Sequence, residues 1–142
     1  MIKQFQKEFR WLSNFTPCTI ILDGITYRSV EHAYMSAKSN DIEWKHFCRD
    51  TYKPGDVKKA SKKIKLRDDW DLIKLDIMSK CIDQKFNQSP YRQNLLNTRN
   101  LYIQEGNYHN DKFWGVCLKT DEGNNMLGKL IMWKRDKLKG DV

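Results

Sequence analysis

The chain has 142 residues, of which 39% are hydrophobic, 12% aromatic and 31% charged. This suits one folded domain of residues 1–142 with a full core, and the sequence shows no internal repeat, low-complexity stretch or linker rich in Pro, Gly or Ser. Its 26 Lys and Arg against 18 Asp and Glu give a net charge of +8, an attractive field for nucleic acid or for phosphate-bearing small molecules. No apolar run is long enough to cross a bilayer and no basic-then-apolar leader is present, so a cytoplasmic protein without membrane contact is expected. Cys18, Cys48, Cys81 and Cys117 are widely spaced without a C-x-x-C pair, which favours reduced thiols over a disulfide framework or a zinc site.

In chain order, Thr19 to Leu22, Asp23-Gly24 and Ile25 to Tyr27 predict a hairpin, because Asp-Gly tolerates the positive φ of a two-residue turn. Ser29 predicts the cap of a helix over Val30 to Lys38, with Glu31 in its first turn. A short helix is expected over Ile42 to Cys48. Pro54-Gly55-Asp56 opens a basic one, with Lys58, Lys59, Lys62 and Lys63 on one face and Val57, Ala60 and Ile64 roughly opposite. That face reads either as solvated surface or as a track for phosphates.

After Asp68-Asp69, the spacing of Leu72, Leu75, Met78 and Ile82 predicts a central core helix ending near Phe86. Tyr91 to Thr98 predicts a helix, Leu101 to Gln104 and Val116 to Leu118 short strands, and Leu127 to Lys134 a closing helix. The sum is an α+β fold, mostly helical, with a small β-sheet.

Four clusters pair a polar or ionisable residue with an aromatic or a glycine, as a pocket for a flat, sugar-bearing ligand requires. They are Arg10 to Phe15, Ser29 to His32, Asp111 to Gly115 and Asn124 to Gly128. A first-turn position gives Glu31 the positive end of the helix dipole, which favours its ionised form and predicts a depressed pKa. Such a carboxylate serves as a base, a nucleophile or a stabiliser of positive charge, or simply complements the dipole. Asp111 and Trp114, three apart, either address one ligand or form a cap followed by a core indole. With His32, His46 and His109 the only histidines, no metal spacing emerges.

These clusters, together with Lys38, Asp69-Trp70-Asp71, Met78, Lys85-Phe86, Leu95-Leu96-x-Thr98, Glu105, Asn125-x-Leu127-Gly128 and Met132-x-x-Arg135, resemble the NADAR family, also called YbiA-like, in order over nearly the whole chain. The resemblance implies an N-glycosidase that cleaves a ribose C1–nitrogen bond. The substrate would be a ribosylamino-pyrimidine phosphate of early riboflavin synthesis or ADP-ribosylated guanine in DNA. By the family's pattern, Glu31 and Asp111 would be the acidic pair and Trp70 and Trp114 the ring-stacking residues. Arg10 and Asn14 would contact phosphate or ribose, with Lys38, Asn125 and Arg135 as further binding candidates. No metal or other cofactor is implied.

Such chemistry suits these residue types. Departure of the nitrogen leaves an oxocarbenium-like centre that a carboxylate stabilises, a role that suits Glu31, while a second carboxylate takes a proton from water, which suits Asp111, the reverse assignment staying open. Where the family commonly has a second glycine after Trp114-Gly115, this chain has Cys117, which reads as a buried thiol more than as a nucleophile. A non-catalytic ADP-ribose or NAD sensor is the alternative reading, against which the presence of both Glu31 and Asp111 argues.

Overall fold

The computed structural model describes residues 1–141. The chain forms two compact units, one of residues 14–85 and one of residues 1–13 with 86–142.

In the 14–85 unit, strands β1 (Ile20–Leu22) and β2 (Ile25–Tyr27) pair antiparallel in the register Ile20 to Tyr27, Ile21 to Thr26 and Leu22 to Ile25. Their turn is the expected one: Asp23 and Gly24 take φ of 50° and 78°, the double left-handed conformation whose twist matches that of the strands. Helices α1 (Val30–Ser36), α2 (Ile42–Asp50), α3 (Pro54–Ser61) and α4 (Trp70–Lys85) follow. Ser29 caps α1 by accepting from the His32 amide at 3.2 Å, and Asp41 caps α2 through the Glu43 amide at 3.0 Å. Pro54 sits in the first turn of α3, where its missing N–H costs nothing.

Helix α1 is the hub of this unit, in contact with α2, α3, α4 and both strands, and every residue of it is buried. Two expectations are corrected here. In α4 the buried face is Trp70, Ile77, Met78, Cys81, Ile82 and Lys85, while Leu72 is 88% exposed and Leu75 also reaches solvent. The core stripe is therefore out of phase with the leucine pattern, because the two N-terminal leucines lie off the face that α1 covers. Helix α3 ends at Ser61, so Lys62 and Lys63 leave it, and half-buried Lys58 turns inward rather than joining a basic face.

In the other unit a short 3₁₀ helix (Lys7–Leu12) precedes α5 (Tyr91–Asn97), β3 (Gly106–Asn107), β4 (Val116–Cys117) and α6 (Met126–Gly140). The strand expected at Leu101 to Gln104 is a parallel bridge of Ile2 with Ile103, and the second sheet is the parallel pair β3–β4. The single small sheet expected from sequence is thus two two-stranded ones. Helix α6 packs on α5 and runs longer than predicted, burying Leu127, Leu130, Ile131 and Leu138. All four cysteines are free thiols. No described helix is long and apolar enough to cross a membrane.

Candidate active site

Glu31 sits in the first turn of α1 and is 5% exposed. Its carboxylate makes no hydrogen bond or ion pair among the described residues. The first-turn amides that were to stabilise it are already used. Glu31 N–H donates to the Asn14 carbonyl at 3.0 Å and His32 N–H to Ser29 Oγ at 3.2 Å, while Ala33 N–H makes the first ordinary helical bond, to the Ser29 carbonyl at 3.2 Å. The Val30 amide faces the Cys18 sulfur. With no donor left, desolvation outweighs the helix dipole. Burial pushes the Glu31 pKa up from 4.5 to about 7, against the opposing pull of Lys58 and then Lys38. The depressed pKa expected from sequence is therefore reversed in sign.

Lys58 was legible only as part of a basic run, yet in the structure it is the strongest cationic influence on Glu31. Its Nζ lies 5.7 Å from the centroid of the Phe15 ring. Lys38, two turns after Glu31, places its Nζ 5.8 Å from the ring centroid of Tyr34, and Tyr34 in turn meets Trp70 with centroids 5.1 Å apart. Trp70 is buried, so its rings serve the core beneath Lys38 and Tyr34. Asn14 Nδ2 faces the Met78 thioether at 3.7 Å, while its Oδ1 is buried with no partner among the described residues. A thioether sulfur only accepts, which fixes the amide this way round. Asn14, Glu31 and Lys38 thus come together in one unit, joined by Phe15 of the opening cluster, by Lys58 of the basic run and by Tyr34, which sequence reasoning missed. Seven-residue spacing on a helix could have linked Lys38 to Glu31, but no local signal brings α3 to α1.

His32 is a satisfied core histidine. Its Nε2 donates to the Thr51 carbonyl at 2.8 Å, so Nδ1 accepts from the Ser29 hydroxyl at 2.7 Å. Burial pulls its pKa down.

In the other unit Asp111 occupies the connection between β3 and β4. Its Oδ1 accepts from the amides of Phe113 at 3.1 Å and Trp114 at 3.0 Å, and Asn107 clamps its backbone on both sides. One oxygen of Asp111 is therefore a loop cap, and the other accepts no hydrogen bond among the described residues. The half-buried Trp114 meets Phe113 edge-on at 4.8 Å. A Cβ on Gly115 would collide with the carbonyl and carboxylate of Glu105, so this glycine serves an internal close approach rather than one to a ligand.

Asn125 is satisfied internally, and Arg135 is held by its Nη1 while its buried Nε has no partner among the described residues. Asn125 accepts from the Glu105 amide at 3.0 Å and donates to the Ile103 carbonyl at 2.9 Å and Tyr102 OH at 3.2 Å. Buried Arg135 donates through Nη1 to Thr98 Oγ1 at 2.9 Å and to the Leu101 carbonyl at 2.8 Å. Arg10 projects from the 3₁₀ helix, exposed and without an ion pair among the described residues. Cys117 is buried in β4. No group of three or more His, Cys, Asp or Glu among the described residues could hold a metal.

The profile of the NADAR domain matches residues 2–139, through both units. The chain belongs to the NADAR family. An N-glycosidase of Nostoc punctiforme is 33% identical over 134 residues, spanning 89% of this chain and 84% of that protein. A riboflavin biosynthesis protein of Vibrio vulnificus is 30% identical over 131 residues, 90% of this chain but 35% of that protein, so the chain spans about a third of this longer relative. The NMR structure of YbiA from E. coli superimposes with a TM-score of 0.84 over 99% of this chain and 88% of that one, at 26% identity. The α+β architecture is thus shared with the solved YbiA structure.

Proposed function

We propose that this NADAR chain hydrolyses the bond between a ribose C1 and a nitrogen in a phosphate-bearing ribosyl compound, with Glu31 carrying the proton. The observation that carries this reading is a buried carboxyl group with no hydrogen bond, held at a pKa of about 7, where it both gives and takes a proton at neutral pH. In its acid form Glu31 donates to the leaving nitrogen as the C1–N bond breaks. The carboxylate left behind faces an oxocarbenium-like centre, water adds to C1, and the water proton returns to Glu31. This assignment gives both proton transfers to one residue and leaves Asp111 to hold the loop that presents Trp114.

The names of the relatives, an N-glycosidase and a riboflavin biosynthesis protein, support the bond type, and the family resemblance implies a ribosylamino-pyrimidine phosphate as one substrate. The net charge of +8 supports the second, ADP-ribosylated guanine in DNA. The test is turnover of both compounds, side by side, by the wild type and by Glu31→Gln. Product from either substrate, lost in the variant, supports the reading. Full activity in Glu31→Gln sinks the role of Glu31, and silence of the wild type on both substrates makes the chain a ligand-binding protein instead.

A further inference from the structure

The ion pairs among the described residues join Arg49 to Asp50, Arg67 to Asp69, Lys74 to Asp71, Lys80 to Asp76 and Lys112 to Glu122. Lys38 and Lys58 belong to none of them. Both are nevertheless half-buried, and each is laid over an aromatic ring, Tyr34 for Lys38 and Phe15 for Lys58, at 5.8 and 5.7 Å from the centroids. A ring face steadies an ammonium group without neutralising it.

The two lysines share one corner of the 14–85 unit: each acts electrostatically on Glu31, and each on the other. Lys74 also bears on Lys38, but it is paired with Asp71 at 3.2 Å. Burial pulls the Lys38 pKa down, and Glu31 is the one carboxylate that opposes the pull. Glu31 forms an ion pair with neither lysine. The corner therefore sets two cations against one unpaired carboxyl group.

Resting on the reading above that the pocket takes a phosphate-bearing ribosyl compound, we propose that Lys38 and Lys58 form the phosphate cradle of this site, each donating to the anion from its own aromatic ring. This moves the phosphate away from Asn14. The unpartnered Asn14 Oδ1 is an acceptor, which suits a sugar hydroxyl and repels a phosphate oxygen. Two cations, one from α3 and one from the turn just after α1, also match an anion with several acceptor oxygens better than a single carboxylate.

The test uses the whole chain and inorganic phosphate as the probe, titrated against sodium chloride at equal ionic strength, with binding followed by NMR of ¹³C-labelled glutamate side chains. Glu31 is assigned by the signal that Glu31→Gln lacks. Lys38→Met and Lys58→Met each weaken phosphate binding about ten-fold or more, the loss of one charge-assisted contact. Lys58→Arg retains binding, and phosphate raises the Glu31 titration midpoint in the wild type.

Unchanged phosphate binding in both methionine variants, or loss of binding in Arg10→Gln alone, overturns the cradle. Binding by Glu31→Gln keeps the two readings apart. If that variant holds phosphate and still turns over substrate, the catalytic reading fails and the cradle stands. If it holds phosphate through Arg10 but loses turnover, the reverse is true. Thermal unfolding of the methionine variants at or above the wild-type temperature excludes misfolding as the cause.

Discussion

Replacing Glu31 with glutamine isolates the energetic cost of the buried carboxylate. In the unfolded chain Glu31 titrates near 4.5 and in the folded chain near 7. Between these values the folded state holds the proton that the unfolded state has lost, so stability falls as pH rises through this window. At about 1.4 kcal/mol for each tenfold change in proton affinity, the ionised group costs the folded state about 3 kcal/mol above pH 8 and nothing below pH 4. Glutamine keeps the shape and removes the titration. Glu31→Gln should therefore match the wild type at pH 4 and exceed it by about 3 kcal/mol at pH 8.5, roughly 6 to 12 °C in melting temperature for a chain of this size. Urea unfolding followed by tryptophan fluorescence, repeated from pH 4 to 8.5 for both proteins, measures the gap. A gap that does not change with pH, or a variant less stable than wild type at pH 8.5, would refute the assignment of the buried charge. Turnover by the same samples supplies the other half: the stabilised protein should be the inactive one.

Lys58→Met removes the larger of the two positive influences on Glu31, so the Glu31-dependent limb of the pH–rate profile should move to higher pH, which initial rates from pH 5 to 9 will record. Asp111→Asn keeps an oxygen for the amides of Phe113 and Trp114 and should hold kcat within about ten-fold, whereas Asp111→Ala frees both amides and should cost about 1 kcal/mol or more of stability with a raised KM. Loss of kcat in Asp111→Asn with an unchanged melting temperature would return Asp111 to the chemistry. Asn125→Ala strands the Glu105 amide and the Ile103 carbonyl and places a Cβ residue without a side-chain hydrogen bond at φ of 50°, for an expected loss of about 2 to 4 kcal/mol in urea unfolding.

Local chemistry was legible and tertiary chemistry was not. Asp23-Gly24, Ser29 and Pro54 announced a turn and two helix starts because each acts on its own neighbours. Glu31 was legible as a residue to watch. The sign of its pKa was not, since that depends on the packing that buries the carboxylate and on the distant Asn14 carbonyl taking the Glu31 amide. The α4 leucines misled for the same reason: Leu72 belongs to the apolar pattern but not to the face that α1 covers. Lys58 was hidden by its own neighbourhood, one lysine in a run of lysines until α3 turns it toward Phe15. The β3–β4 pair is too short to carry a period, and its register is set by close approaches such as Gly115 against Glu105.

Glu31 and His32 are adjacent in α1, and burial drives both toward their neutral forms, one upward and the other downward in pKa. Acidification toward pH 5 therefore relieves the folded state at Glu31 while it strains the folded state at His32, and alkalisation through neutrality does the opposite. Below the ordinary histidine value of 6.5 the two slopes have opposite signs. Helix α1 thus carries two adjacent groups whose burial bends the pH dependence of the fold in opposite directions, so the charge state of its first turn and that of the histidine beside it pull on the same helix from opposite sides of the titration.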